Sequence, residues 1–245
     1  MTTPLSVCVI THNEEAAIER CLGSVAWADE LIVVDDGSTD RTVELAKGLG
    51  AKVIHHSWPG WATQKNYAID ACSHDWVLSL DADEWLPPAA ETEIRQTLAT
   101  KTADAYSFPR RTSFLGRSIM HSGWYPDRQI RLFRRSVTRF SEVAVHEKVE
   151  APEHSADLQV DIMHESFTSL EQYLTKSNAY TTAQAKQQSQ QSFLWLKLFL
   201  KPLYRFLQMY VRQAGFLDGA QGFILASFSA WYEFVVIAKI LFPGK

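Results

Sequence analysis

An α/β fold, with a sheet flanked by helices and a helical, amphipathic C-terminal extension, is what this sequence predicts. Three observations carry that expectation. Short β-branched runs alternate with amphipathic helical patterns through the first hundred residues. The core of one strand-like run, Leu31–Val34, is apolar throughout, as suits a parallel sheet covered on both faces. From Phe193 onward, long apolar stretches carry basic residues at helical spacing.

Taken in order, Leu5–Ile10 is an apolar run of strand length, followed by a polar turn at Thr11–Asn13. Glu14–Leu22 places Ala17, Ile18, Cys21 and Leu22 on one helical face, closed by Gly23. Glu30–Asp35 is the next strand. Ser38-Thr39-Asp40 offers N-caps for a helix running to Leu49, which Gly50 stops. Lys52–His55 is strand-like, Thr63–Ala71 helical, and Trp76–Leu80 a third buried strand. Strand and helix alternating in this way give βαβ units with right-handed crossovers. From about Ala105 to Val149 the text turns Arg-rich and aromatic, which suits mixed strands and loops over the mouth of the sheet. Leu170–Gln191 reads as a polar helix.

The 245 residues are 46 % hydrophobic and 21 % charged, which excludes disordered and fibrous classes. A formal charge of −4 excludes a uniformly basic nucleic-acid binder. Residues 193–245 carry six basic and two acidic side chains, a balance of +4, which leaves −8 for the rest. Cys8, Cys21 and Cys72 have neither zinc-ligand nor CxxC spacing and fit a reduced compartment. The opening residues lack the charged and apolar regions of a secretory signal, so the expectation is a cytoplasmic location.

Ligands on such sheets bind beyond the carboxyl ends of the strands. Three polar clusters fall there: Thr11-His12-Asn13-Glu14, Asp35-Asp36-Gly37-Ser38 and Asp81-Ala82-Asp83-Glu84. Carboxylates two residues apart, Asp81 and Asp83, can approach a hard cation such as Mg²⁺ or Mn²⁺ through oxygen. A carboxylate at Asp36 can accept from a base N–H or a ribose hydroxyl, while Gly37 permits the turn. Capping and turn formation account for the same residues equally well. Eight arginines and one carboxylate between Arg110 and Arg139 suggest an anionic ligand, with Arg128 and Arg131 beside Trp124-Tyr125 as the phosphate or acceptor contacts. Trp124 suits stacking on a sugar or plain packing. His164 suits a metal shell, a phosphate contact or a structural role.

In Phe193–Gln213 the residues Lys197, Lys201, Arg205, Gln208 and Arg212 fall on one helical stripe, with Pro202 expected to kink the helix or begin a second one. Basic groups among lipid phosphates, with rings at the acyl boundary, would suit peripheral attachment to a membrane surface. Phe223–Phe242 is apolar but interrupted by Glu233 and Lys239, which favours lying on a membrane over crossing it. A helical dimer interface or a core packed on the catalytic domain is the alternative.

Val9-Ile10-Thr11-His12-Asn13-Glu14-Glu15, Val33-Val34-Asp35-Asp36-Gly37-Ser38-Thr39-Asp40, Gln64-Lys65-Asn66 and Leu80-Asp81-Ala82-Asp83-Glu84 together resemble the family 2 glycosyltransferases and their GT-A fold, a Rossmann-like mixed sheet flanked by helices. Gly123-Trp124-Tyr125-Pro126, Arg131–Arg135, Val145-His146-Glu147 and Gly215-Phe216-Leu217-Asp218-Gly219 extend the likeness to the bacterial lipopolysaccharide-core subgroup. The resemblance implies a nucleotide-sugar-binding half at 1–104, acceptor-side strands and loops of the same domain at 105–169, and a membrane-interface helical region at 170–245. It implies nucleotide contacts from Thr11, Asn13, Glu14, Asp36, Lys65 and Asp81, with Asp83 as the principal ligand of Mg²⁺ or Mn²⁺. The best match for the general base is Glu147, and His146 is the competing acceptor of that proton. The implied activity is an inverting, metal-dependent transfer of a hexose such as glucose from a nucleotide diphosphate sugar to a lipid-linked saccharide, such as the lipopolysaccharide inner core, at the inner face of a bacterial membrane. Another lipid-linked or protein acceptor, a phosphotransferase reading of Asp81-Ala82-Asp83, and a catalytically inactive membrane scaffold are the rivals.

Overall fold

The computed structural model describes residues 3–100, 102–141, 149–167, 169–187 and 193–243. The chain forms two compact units, Met1–Arg110 with Asp127–His164, and Arg111–Pro126 with Glu165–Lys245.

In the first unit β1 (Leu5–Thr11) leads through α1 (Ile18–Gly23) to β2 (Glu30–Asp35), and α2 (Thr42–Gly48) leads to β3 (Lys52–His55). Next come α3 (Trp61–Asp70), β4 (Trp76–Asp81), the short β5 (Glu84–Trp85) and α4 (Ala89–Thr100). β6 (Ala105–Phe114) runs on into the second unit, where β7 (Arg117–Ser118) pairs with its end. β8 (Asp127–Arg134), β9 (Ser155–Asp157) and β10 (Ile162–Phe167) complete the sheet. Its order is β3-β2-β1-β4-β8-β6-β10-β5, with β7 and β9 pairing to β6. β3, β2, β1 and β4 are parallel, and β8 joins β4 and β6 antiparallel. The sheet is therefore mixed, as the sequence predicts.

Alternation along the strands builds two cores. Leu5, Val7, Val9, Leu78 and Leu80 face Ile18 and Leu22 of α1 and Ile94 and Leu98 of α4. Cys8, Ile10, Ile32, Val34 and Val77 face Ala68 and Ile69 of α3. Each fully buried aliphatic side chain contributes roughly 1.5–3 kcal/mol, which fixes the strands on which the loop residues ride.

Helix starts differ from the sequence expectation for local reasons. Residues 14–17 form a turn in which the Glu14 carbonyl accepts from Ala17 N and Ile18 N, so α1 begins at Ile18. α2 begins at Thr42, because Ser38 bonds Asp35 and the Thr39 N–H is held by Asn13, leaving Asp40 to accept from Thr42 N at 3.0 Å. The helix α4 was not expected from the sequence.

The second unit contains α5 (Leu170–Gln187), α6 (Leu194–Leu207), a π-helical turn (Gln208–Arg212), a 3-10 turn (Gly215–Asp218) and α7 (Gly219–Leu241). Phe114, Ile119, Tyr173, Met209, Leu225 and Ala226 form its core. α6 and α7 pack as an antiparallel pair, with Trp195 against Phe242, Lys201 against Glu233 and Phe206 against Phe223. α6 continues through Pro202 instead of breaking there. The stripe also faces otherwise than expected. Lys197, Lys201, Arg205 and Gln208 are half-buried, and Lys201 pairs with Glu233 of α7 at 2.8 Å, while Arg212 at the end of the stripe is exposed.

Candidate active site

Strand register fixes the site first. Thr11 stands opposite Asp35, and Ile10 opposite Asp81, so the ends of β2, β1 and β4 bring the three polar clusters to one carboxyl edge.

On the β1–β2 side, the buried Asp35 carboxylate accepts from Gly37 N and Ser38 N, each at 2.9 Å, and from the Ser38 hydroxyl. That wrap needs the left-handed backbone at Gly37, φ +74°. Asn13, itself left-handed at φ 55°, accepts through Oδ1 from Thr39 N at 2.8 Å, and its own N–H donates to Ser38 Oγ at 2.9 Å. Glu14 N donates to Thr42 Oγ1 at 2.7 Å. These bonds staple the two loops together. Asp36 is held by Trp58 N at 2.7 Å, and His12 Nδ1 lies 4.0 Å from its carboxylate. Thr11 is buried, and its hydroxyl has no hydrogen-bond partner among the described residues.

On the β4 side a buried ionic network forms. Asp81 meets Lys65 Nζ at 2.7 Å and Arg131 at 2.6 Å. Arg131 also donates to Glu84 at 2.7 Å, and Glu84 accepts from Asp81 N at 3.1 Å. Arg110 reaches Glu84 at 3.4 Å and Asp127 from its Nε at 3.0 Å. Burial alone would raise the Asp81 pKa, but the Arg131 and Lys65 charges outweigh it and hold the carboxyl well below the usual range. Asp81 is thus already neutralised by two cations. Asp83 is more exposed and faces a single imidazole, His164 Nε2 at 3.4 Å, across the β5–β10 pairing of Glu84 with His164. Burial, followed by the Glu84, Asp83 and Asp81 charges, pushes the Cys21 thiol well up. All three cysteines are buried and free.

The structure therefore brings together Thr11, Asn13, Glu14 and Asp36; then Lys65, Asp81 and Arg131; then Asp83 and His164. Arg128 is placed apart from Arg131, donating to the Leu158 carbonyl at 3.1 Å and lying 3.5 Å from Asp157. Trp124 belongs to the second unit, edge-on to Phe114 at 6.0 Å. His146 and Glu147 lie outside the described residues. Two contributors, Glu84 and Arg110, stand in the stretches singled out from sequence but carry no site role there. Glu84 is fully buried at the end of a carboxylate run, and Arg110 opens the arginine-rich stretch.

Among the described residues, no group of three or more His, Cys, Asp and Glu side chains could hold a metal. The Asp83 carboxylate and the His164 imidazole, 3.4 Å apart, are nonetheless the pair that would hold a divalent cation, which would supply charge neutralisation.

Comparison with known proteins gives the class. The family model described as Glycosyl transferase family 2 matches residues 6–146. An uncharacterized glycosyltransferase of Rickettsia typhi is 33 % identical over 253 residues, covering 96 % of this chain and 86 % of that one. The lipopolysaccharide core biosynthesis glycosyltransferase LpsC of Rhizobium meliloti is 30 % identical over 248 residues, covering 97 % and 92 %. The crystal structure of S. aureus TarS 1–349 shares the fold with a TM-score of 0.51 at 16 % identity, covering 97 % of this chain and 90 % of that one. The chain belongs to the family 2 glycosyltransferases. It is a glycosyltransferase, which sets aside the phosphotransferase and inactive-scaffold readings.

Proposed function

We propose that this chain is an inverting, metal-dependent hexosyltransferase that uses a nucleotide diphosphate sugar and acts on a lipid-linked saccharide of the lipopolysaccharide inner-core class, attached to the cytoplasmic face of the bacterial membrane. The observation that carries the reading is the register that sets Thr11, Asp36 and the Asp81–Asp83 loop along one strand edge. The likeness to LpsC supports the acceptor class. TarS has been crystallised with UDP-GlcNAc, which makes UDP sugars the first donors to test.

In this reading the unsatisfied Thr11 hydroxyl and the Asp36 carboxylate bind the nucleoside. The Asn13 and Glu14 bonds hold their loop in place. Lys65 and Arg131 keep Asp81 ionised and fixed at the strand end. Asp83 and His164 would hold Mg²⁺ or Mn²⁺, which supplies charge neutralisation for the departing diphosphate. Glu147 takes the acceptor hydroxyl proton as the new bond to the anomeric carbon forms and the bond to the diphosphate oxygen breaks. Arg128, Trp124 and His146 are assigned to the acceptor or its phosphates.

The test is a screen of nucleotide sugars with Mg²⁺ and Mn²⁺ on purified protein, followed by Asp83→Ala. Asp83 makes a partly exposed pair, so its loss should cost at most about 1 kcal/mol of stability while transfer disappears. Full transfer by Asp83→Ala would refute the metal assignment.

A further inference from the structure

The outer side of α6 carries Trp195, Leu196, Phe199, Leu200, Leu203 and Leu207, all exposed, with Phe199 at 70 %. No charged residue interrupts this face. Lys197, Lys201 and Arg205 of the helix, and Gln208 of the turn that follows it, are half-buried. Lys201 pairs with Glu233 at 2.8 Å, and Arg205 donates to Gln208 at 3.3 Å. α7 encloses its small residues, with Gly222 and Ala226 buried. The outer side of α6 is therefore apolar, while Lys201 is turned to a carboxylate of α7, the reverse of a water-soluble amphipathic helix.

We infer that α6 lies in the plane of the membrane with this outer face sunk among the acyl chains. This rests on the membrane-acting part of the function proposed above and specifies how the attachment is made. Three features favour lipid over a second protein copy. The face holds large aliphatic and aromatic groups and lacks the small residues that let helices approach closely. Its own exposed residues are apolar over two turns and more, a wider unbroken stretch than the mixed surface of a protein interface. Ion pairing of Lys201 with Glu233 also removes the main cost of bringing the helix charges near hydrocarbon.

What α7 is tied to argues against a crossing orientation. Its Lys239 donates to the Asn178 carbonyl and side chain at 2.9 and 2.7 Å, to Thr181 at 2.8 Å and to Thr182 at 2.7 Å, all in α5. Tyr173 of α5 packs on Phe228 at 5.2 Å. α5 exposes Glu171, Lys176 and Lys186, which would enter the bilayer with α7 if it spanned. In the plane of the membrane, α6 meets lipid and α5 stays on the water side.

Flotation of the full chain with vesicles tests this. Binding should be equal for neutral phosphatidylcholine and for mixtures containing phosphatidylglycerol, and should survive high salt. Phe199→Glu combined with Leu203→Glu should reduce the bound fraction roughly ten-fold or more, while circular dichroism and donor-sugar hydrolysis are unchanged. Nitroxide labels at Phe199→Cys and Lys176→Cys in otherwise native protein give a second reading. The first should be broadened by oxygen, and the second by an aqueous nickel reagent. Salt-labile binding that needs anionic lipid would overturn the insertion while keeping the membrane reading. Both labels buried would mean spanning, and a solution dimer that ignores vesicles would mean a second copy; either overturns the inference. Flotation and labelling use no activity, so failure of donor hydrolysis would count against the catalytic reading alone.

Discussion

Asp81 and Asp83 are two residues apart and chemically identical, yet their surroundings divide them. Asp81 is gripped by Lys65 and Arg131, while among the described residues Asp83 is paired with His164. Removing one member of a buried ionic network leaves its partners charged and unsolvated, at a cost of roughly 3–5 kcal/mol. Arg131→Met should therefore lower the stability to chemical denaturation by about that much, far more than Asp83→Ala. Equal effects of the two substitutions would show that the network is not buried in solution. The sequence displayed the carboxylates but not this division of labour. Arg131 lies fifty positions from Asp81, and only the antiparallel pairing of β8 with β4 brings the two together. Arg131 was expected among the phosphate contacts, and in the structure its guanidinium is committed to Asp81 and Glu84.

At the scale of elements, glycine spacing separates packing from permissiveness. A Cβ on Gly222 of α7 would come within 2.0 Å of the Gly215 carbonyl oxygen, whereas one on Gly48 of α2 meets nothing within 4 Å. Gly222→Ala should cost about 1–3 kcal/mol, and Gly48→Ala should add about 0.4–1 kcal/mol, both read from thermal melts. This contact explains the close glycines around the Gly215-Phe216-Leu217-Asp218-Gly219 turn, where Asp218 also accepts from Met120 N and His121 N. Strand β2 begins with a second device. Glu30 accepts from Ser73 N and Ser73 Oγ, each at 2.7 Å, and from Ser6 Oγ at 2.5 Å. Burial opposes its ionisation, but these bonds outweigh it and lower its pKa. Folding thus favours the carboxylate, so the stabilisation is present above the ordinary glutamate value of ~4.3 and is lost as pH falls through the lowered one. Melting temperature against pH should show wild type losing its advantage over Glu30→Gln across that acid range; parallel curves would contradict the assignment. Strands β2 and β3 were legible to the residue because their apolar runs are bounded by polar residues. The helix α4 was not, although Ala90, Ile94 and Leu98 recur every four residues on one face after Pro87-Pro88.

For the whole molecule, the charge asymmetry has a structural counterpart. The acidic balance belongs with the unit that carries the strand-end carboxylates, and the basic C-terminal segment belongs with the helical unit. Arg111–Pro126 belongs with the helices, an association distant in sequence that composition along the chain does not reveal. The central claim concerns the first unit, that the ends of β2, β1 and β4 form the seat of a nucleotide diphosphate. Calorimetric titration of UDP with Mn²⁺ into wild type, Thr11→Val and Asp36→Asn tests it most directly. The account predicts metal-dependent binding to wild type, weakened about ten-fold by loss of a hydrogen bond to a charged group in Asp36→Asn and less in Thr11→Val. Undiminished binding in both variants would contradict it.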